Sequence, residues 1–145
     1  MFKHLLLPTD GSDASQATLL EGVRLAREFN AKITGICVVP EFHILAFNTA
    51  MIEDTKDVFI AESRAQAHKY LALLSKAAEE AGVPCETEVV LSDQPYEAII
   101  RTSTSKGCDL IMMASHGRRG VRALLVGSET QKVLTHSTVP VLVYR

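Results

Sequence analysis

Five short apolar runs alternate with longer helical patterns along this chain, and this alternation constrains the fold most. The runs are apolar almost throughout, which is typical of strands covered on both faces. They are His4–Leu7, Ile33–Val39, Cys85–Leu91, Asp109–Ala114 and Val139–Tyr144. Strands that alternate with helices pair in parallel through right-handed crossovers. The sequence therefore predicts an α/β fold, a doubly wound sandwich with a five-stranded parallel sheet. The order 3-2-1-4-5 is expected because it makes the first and fourth strands neighbours and so brings together the loops that follow them.

Apolar residues at helical spacing predict four helices between these strands. The expected helices cover Asp13–Asn30, Ile60–Ala81, the stretch from Pro95 to Gly107, and a segment that begins at Ser128. Ser12 is the expected N-cap of the first helix. Ser128–Gln131 matches the Ser-x-x-Gln capping box and marks the start of the fourth. The stretch Glu41–Asp57 is mixed in pattern and long for a connection, so we expect a mobile or variable flap there.

Length and composition exclude several classes of protein. A chain of 145 residues predicts one domain, residues 1–145. Its 47% hydrophobic and 22% charged residues are close to globular averages and exclude collagen, coiled coil and disorder. A net charge of -2 argues against general binding to nucleic acid or to an anionic membrane. Without a signal-peptide pattern, a membrane span or paired cysteines, we expect a cytoplasmic protein with no zinc site or disulfide.

Two loops carry the residues suited to ligand binding. In open α/β sheets, ligands bind beyond the carboxyl ends of the strands where the winding reverses, here between the first and fourth strands. The first strand is followed by Pro8–Ser12, which combines an acid, hydroxyls and a glycine before a helix. After the fourth strand, Gly117 and Gly127 are separated by nine residues, and Ser128 opens the last helix. Glycines beside a helix N-terminus let backbone N–H groups approach an anion.

The combination of these features resembles the universal stress protein family. The features that carry this resemblance are Asp10 after the first strand, Ser115-His116-Gly117, nine further residues, Gly127-Ser128, and a closing Thr-Val-Pro-Val-Leu-Val strand. The resemblance covers essentially the whole chain. ATP-binding members of the family carry Gly-x-x-Gly-x9-Gly-Ser, and here Ala114 replaces the first glycine. The resemblance implies an adenine nucleotide α-hydrolase-like fold and ATP as ligand, with or without Mg²⁺.

The resemblance also implies roles for individual residues. Asp10 is expected to bind the ribose hydroxyls, while Pro8, Thr9 and Val38 line the adenine slot and the Val38 backbone contacts the base edge. The residues expected around the phosphates are Gly117, Arg118, Gly127, Ser128, Glu129 and Thr130. The predicted nucleotide-binding set is completed by Met113, Ala114, Ser115 and His116. Because the charge of Glu129 competes with phosphate, this side chain is the one expected to point away.

Each of these residues also has an ordinary structural interpretation. In this interpretation Asp10–Ser12 form a turn and an N-cap and bind no ligand, and the hydroxyl of Ser128 serves the capping box alone. The glycines can serve loop geometry alone. The arginines at 118, 119 and 122 can be either solvated side chains or a phosphate clamp. His116 is expected to be a loop or hydrogen-bonding residue, since no catalytic partner lies at a recognisable spacing.

The leading functional hypothesis is an ATP-binding stress protein that acts as a sensor or regulatory adaptor rather than as an enzyme. The chain has neither a P-loop nor a dinucleotide glycine motif, although slow ATP hydrolysis stays open. The main alternative is a nucleotide-free protein-interaction module of the same fold. A phospho-acceptor receiver domain would need an acceptor aspartate after the third strand and a lysine after the fifth. A nucleotidyl-transfer enzyme would need a substrate domain, for which the chain has no room.

The protein is expected to form a homodimer through its last strand, Val139–Tyr144. In a 3-2-1-4-5 order it lies at the sheet edge, which suits Pro140 because proline is confined to edges. The strand is strongly apolar and has no lysine to block pairing, so pairing with a two-fold copy would satisfy its free backbone groups. The alternative is that the flap Glu41–Asp57 covers this edge. The other expected partner is the adenine nucleotide, with no nucleic acid and no membrane.

Overall fold

A computed structural model of the protein describes residues 1–41, 49–117 and 126–145. The elements in chain order are β1 (His4–Thr9), α1 (Asp13–Phe29), β2 (Lys32–Val39), α2 (Thr49–Ala81), β3 (Cys85–Leu91), α3 (Pro95–Ser105), β4 (Leu110–Ala114), α4 (Ser128–His136) and β5 (Val141–Tyr144). The five strands form one parallel sheet in the order β3-β2-β1-β4-β5. The predicted fold class and strand order are confirmed.

Both faces of the sheet are covered by helices, which explains the continuous apolar run of β1. Leu5 and Leu7 pack in a core cluster with residues of α1 and α2, whereas Leu6 packs in a second cluster with residues of α3 and α4. All three leucines are completely buried. Successive side chains of a strand point to opposite faces, so a central strand with two covered faces has no position for a polar residue in this stretch.

Pro8 limits the pairing of β1 with β4. The carbonyl of His4 accepts a hydrogen bond from the amide of Asp109, the residue just before β4, so alternate residues of β1, including position 8, face β4. Proline has no N–H to donate there. The pairing of β1 with β4 covers Leu5 and Leu6, whereas its pairing with β2 runs from His4 to Thr9. The ladder therefore ends early where the winding reverses, and a crevice can form.

Some predicted boundaries were wrong. Strand β1 continues to Thr9, so Pro8 and Thr9 belong to the strand rather than to the following loop. Strand β5 begins at Val141, and Pro140 precedes it with its carbonyl accepting from the Ile111 amide at 2.9 Å. Helix α2 begins at Thr49, so the later part of the predicted flap Glu41–Asp57 is helical. Residues 42–48 of that flap lie outside the described residues.

The helix ends show one confirmed cap and one wrong one. Ser12 caps α1, because its Oγ accepts from the Ser15 amide at 3.2 Å. The N-cap of α4 is Gly127, and Ser128 is the first helical residue, with no side-chain cap bond in this described segment. The capping-box interpretation of Ser128–Gln131 is therefore wrong. A 2.6 Å bond from the Gly127 amide to the Ser115 carbonyl fixes Gly127 beside the end of β4, one residue before the expected cap.

Candidate functional site

The loop after β1 holds the Asp10 carboxylate in a fixed orientation. Its Oδ1 accepts from the Ser12 amide at 2.9 Å and from the Ser15 hydroxyl at 3.0 Å. The Ser15 Oγ also lies 2.9 Å from Thr9 Oγ1, which accepts from the Gly11 amide at 3.1 Å. The loop therefore does form the expected turn and N-cap. Asp10 nevertheless remains exposed to solvent. The carboxylate is oriented before any ligand arrives.

A cavity of about 550 Å³ opens beside Asp10, between α2 and the end of β2. Its lining residues are Asp10, Cys37, Val38, Val39, Pro40, Phe59, Glu62, Ser63, Gln66, Ala67 and Tyr70. The Tyr70 ring lies against Gly11, whose φ of +80° and closeness to the ring leave no room for a side chain. Of the residues predicted for the adenine slot, Val38 lines this cavity, whereas Pro8 and Thr9 do not.

The α2 wall of this cavity was missed by the sequence analysis. Its residues recur at i, i+3, i+4, i+7, i+8 and i+11 from Phe59, which is one face of a helix. That face mixes aromatic, acidic and amide side chains. A search for apolar periodicity passes over such a stripe, because polar positions on a helix indicate a solvated face. The helical spacing of Phe59, Gln66 and Tyr70 was the pattern that could have revealed it.

The carbonyl of Val38 lies past the end of the ladder between β2 and β1. The Lys32 amide donates to the Lys3 carbonyl, so the even-numbered residues of β2 face β1. The last residue pair of the two strands is Thr9 with Cys37. The Val38 carbonyl is therefore a backbone acceptor that this ladder does not use, at the rim of the cavity.

On the other side of Asp10, the loop after β1 meets the segment after β4 and the start of α4. A Cβ atom added to Gly117 would collide with Oδ2 of Asp10. A Cβ atom on Gly127 would lie 3.3 Å from the His116 Cα and 3.4 Å from the Ser115 carbonyl oxygen. Neither glycine has a positive φ, so their absent side chains serve close approach rather than an unusual backbone conformation. Gly117 therefore lies against the Asp10 carboxylate, and Gly127 lies against the residues that precede Gly117.

The N-terminus of α4 faces this meeting point with unpaired donors. The amide of Gln131 makes the first bond of the helix, to the Gly127 carbonyl at 2.9 Å. The amides of Ser128, Glu129 and Thr130 precede it and lack intrahelical partners, as at any helix start. Thr130 also ties the helix to β4, since its buried hydroxyl donates to the Ala114 carbonyl at 3.0 Å. Such donors and the positive end of the helix dipole suit an anion.

Glu129 is turned toward α3. Its Oε2 accepts from the Tyr96 amide at 2.9 Å, and its Oε1 lies 3.2 Å from Lys132 Nζ. The start of α3 needs this acceptor, because its N-cap residue Gln94 makes no side-chain cap bond. The expectation that Glu129 points away from the phosphate loop matches this placement. The negative charge nearest in sequence to the α4 N-terminus is thereby engaged elsewhere.

The remaining predicted residues lie at the end of β4. Met113 and Ala114 are 7% and 9% exposed, so the methyl group that replaces the first motif glycine adds little surface to the crevice. Ser115 donates its amide to the Tyr144 carbonyl, and its Oγ lies 3.1 Å from Nδ1 of the exposed His116. His116 is thus a hydrogen-bonding residue, as expected. Arg118 lies outside the described residues, as do Arg119 and Arg122.

Two properties of the described part of the chain bear on the ligand and membrane expectations. No group of three or more His, Cys, Asp or Glu side chains there could hold a metal ion. None of the helices described is both long and apolar enough to cross a membrane.

Comparison with known proteins identifies relatives along the whole chain. Residues 1–145 match the sequence model of the universal stress protein family. Universal stress protein YxiE of Bacillus subtilis is 34% identical over 149 residues, which cover 100% of both chains. Universal stress protein MJ0531 of Methanocaldococcus jannaschii is 30% identical over 145 residues, which cover 100% of this chain and 83% of that one.

Solved structures agree with these sequence matches. Universal stress protein UspA from Lactobacillus plantarum superposes with a TM-score of 0.85 at 25% identity, covering 99% of this chain and 98% of its own. A universal stress protein in complex with cAMP (TM-score 0.73, 20% identity, 99% and 97% coverage) has the same fold. The universal stress protein from Archaeoglobus fulgidus in complex with dAMP also has this fold, with a TM-score of 0.70 at 14% identity, covering 100% of this chain and 98% of its own. This chain belongs to the universal stress protein family.

Proposed function

We propose that this protein is a cytoplasmic adenine-nucleotide-binding universal stress protein, with ATP as its ligand, that acts as a sensor or regulatory adaptor. One observation carries the proposal: the cavity beside α2, the Asp10 carboxylate and the α4 N-terminus follow one another in space. A nucleoside 5′-phosphate has the same sequence of parts, namely a planar base, a ribose and an anion. The complexes of two family members with cAMP and dAMP support an adenine ligand.

Each part of the ligand has a chemically suitable partner in this arrangement. The Val38 carbonyl is an acceptor for the exocyclic amine of adenine, and the exposed Asp10 carboxylate can accept from ribose hydroxyls. Gly117, Gly127 and Ser128 would surround the phosphates with the unpaired amides of α4. When Mg²⁺ accompanies ATP, it neutralises part of the phosphate charge. The Ser128 hydroxyl, which does not cap the helix, is a further donor for a phosphate oxygen.

We also propose that turnover is negligible beside binding. Phosphoryl transfer needs positive groups on the β- and γ-phosphates and a group that orients water. The chain has no P-loop lysine, and Nδ1 of His116 is engaged by its neighbour Ser115. We expect phosphate release slower than about 1 per second, the lower end of ordinary enzyme rates. A phosphate-releasing activity that is faster than this and that co-purifies with the protein would contradict the proposal.

The test is to identify what the purified protein carries and binds. Chromatography of the supernatant after denaturation is expected to release an adenine nucleotide, and calorimetry on the nucleotide-free protein is expected to show binding of Mg-ATP. No heat at millimolar Mg-ATP, together with no released nucleotide, would contradict the proposal. That outcome would favour the second candidate, a protein-interaction module of the same fold.

A further inference from the structure

Two buried hydroxyl groups lie behind the Asp10 carboxylate. They belong to Thr9 and Ser15, which are each 5% exposed. Ser15 Oγ lies 3.0 Å from Asp10 Oδ1 and 3.0 Å from the Ser12 carbonyl oxygen. It also lies 2.9 Å from Thr9 Oγ1, which accepts from the Gly11 amide at 3.1 Å. The two hydroxyls therefore form one connected chain that ends at the carboxylate.

A hydroxyl group has one proton to donate, and this fixes the direction of the chain. Ser15 has two neighbours that can only accept, the Asp10 carboxylate and the Ser12 carbonyl, so its proton goes to one of them. The bond between Ser15 and Thr9 must then take its proton from Thr9. The Ser12 carbonyl already accepts from the Gln16 amide at 2.9 Å. A charged acceptor forms the stronger bond, so the chain runs from Thr9 through Ser15 to Asp10.

We propose that Thr9 and Ser15 are positioning residues that hold the Asp10 carboxylate for the ribose hydroxyls of the nucleotide. This inference rests on the proposed function, since it takes Asp10 as the ribose-binding residue. Oδ1 accepts from the Ser12 amide and the Ser15 hydroxyl, so two bonds within the loop use its two lone pairs. Oδ2 is turned toward Gly117 and is the oxygen that we assign to the ribose.

The physical reason is preorganisation. An exposed carboxylate that is not held loses side-chain freedom when a ligand binds, and an acceptor that is already fixed avoids this cost. Hydrogen bonds in a chain polarise one another, so donation by Thr9 strengthens the bond from Ser15 to Asp10. Thr9 ends β1 and Ser15 lies in the first turn of α1, so strand and helix both hold the loop. Because Thr9 does not line the cavity, its effect on the ligand passes through Asp10.

The experiment compares ATP with 2′,3′-dideoxy-ATP, which has the same base and phosphates but no ribose hydroxyls. Binding to the full chain is measured by calorimetry for the wild type, Ser15→Ala, Thr9→Val and Thr9→Ser. The matched control is Ser103→Ala, because Ser103 is a completely buried serine of α3 whose hydroxyl donates to the Ile100 carbonyl. Thermal denaturation records the loss of stability in each variant.

We expect Ser15→Ala to weaken ATP binding by about tenfold and Thr9→Val by about threefold, while the affinity for dideoxy-ATP changes by less than about twofold. Thr9→Ser keeps the hydroxyl and should bind both ligands like the wild type. Ser103→Ala should lower stability without changing either affinity. In an Asp10→Ala background, Ser15→Ala should have no further effect on ATP binding, since the two residues act as a unit.

Three results would overturn the inference while leaving nucleotide binding intact. They are an equal loss of affinity for both ligands in Ser15→Ala, additive effects of Ser15→Ala and Asp10→Ala, and a wild type that binds ATP and dideoxy-ATP equally well. A wild type that binds neither ligand would instead contradict the proposed function itself, and the positioning role with it.

Discussion

At the scale of single residues, Gly127 sets the distance between the β4 loop and α4. A Cβ atom there would lie 3.3–3.4 Å from backbone atoms of His116 and Ser115, which cannot move aside like a flexible side chain. Alanine would push the α4 N-terminus a few tenths of an ångström away, and the γ-branches of valine would push it further. The residue is therefore a sensitive probe of the site.

We expect Gly127→Ala to weaken ATP binding and Gly127→Val to weaken it by at least tenfold, about 1.4 kcal/mol. The φ of −58° and ψ of 153° at Gly127 are open to any L residue, so both variants should fold. Calorimetry measures the binding, and circular dichroism checks the helix content. Full-strength binding by a folded Gly127→Val protein would show that the phosphates do not lie at this N-terminus.

Ala114 provides a second residue-scale prediction, because it departs from the family motif. Ala114 as a whole is only 9% exposed, so replacing it with glycine should leave ATP affinity equal or slightly tighter. The same change should lower stability by roughly 0.5–1 kcal/mol, since glycine in a strand costs backbone entropy. Paired calorimetry and thermal denaturation separate the two effects. Markedly weaker binding in Ala114→Gly would indicate that the alanine is itself an adaptation of the site.

At the scale of elements, the amino ends of the strands are joined by a polar network. Nε2 of the buried His4 lies 2.7 Å from Thr34 Oγ1, and that hydroxyl donates to Glu86 at 3.0 Å. Since the single hydroxyl proton of Thr34 goes to Glu86, the His4 Nε2 must be the donor in the other bond. Lys106, which follows α3, lies 3.5 Å from Glu86. The network thus links β1, β2, β3 and the end of α3.

This network predicts a loss of stability in mild acid. Burial, reinforced by the nearby Lys32 charge, lowers the pKa of His4 below 6.5, while Glu86 and Asp109 act in the opposite direction. The unfolded chain therefore binds a proton at a higher pH than the folded one. The contribution of His4 to the free energy of unfolding should be constant well above pH 6.5 and should decrease as the pH falls through 6.5. The hydrogen bond from Thr34 lowers the pKa of Glu86, so that carboxylate titrates at lower pH.

The measurement is the urea midpoint between pH 7.5 and 5.5. His4→Gln, which keeps a side-chain donor, should flatten the decrease seen in the wild type. His68→Gln at an exposed position of α2 is the matched control and should leave the decrease unchanged. Identical slopes for the wild type and His4→Gln would exclude His4 as the origin of the acid sensitivity.

The same elements show what the sequence could and could not predict. The strands were predictable because runs such as Leu5–Leu7 are buried on both faces. The alternation with helices predicted parallel pairing, and the order was inferred from the need to bring the loops after the first and fourth strands together. The start of α2 was not, because residues 55–58 are exposed and carry no apolar stripe. Ser128 was mistaken for a cap because it follows Gly127, another good N-cap residue, and only the bond from the Gln131 amide to the Gly127 carbonyl decides between them. The cavity wall that contains Glu62 and Gln66 could not be predicted, because it exists only once α2 packs over β2.

At the scale of the whole molecule, β5 is the edge strand of the sheet that the described residues form. It pairs with β4 on one side and ends the sheet on the other, as the strand order requires. All four of its residues, Val141–Tyr144, are partly exposed. An apolar edge strand with free backbone groups pairs readily with another chain unless it is blocked. A closed two-fold dimer through β5 would satisfy these groups and cover the valines.

We therefore predict a homodimer that dissociates in Val141→Asp. The introduced charge lies in the strand that would form the interface, at its first residue, where pairing would remove it from water without a partner. Light scattering at tens of micromolar protein should give twice the monomer mass for the wild type and a mass shifted toward the monomer for Val141→Asp. Helical circular dichroism should change little. Val58→Asp, at a 55% exposed valine on α2, should remain dimeric. A monomeric wild type would contradict the dimer, and it would require that edge to be covered in another way, since an unprotected apolar edge strand favours aggregation.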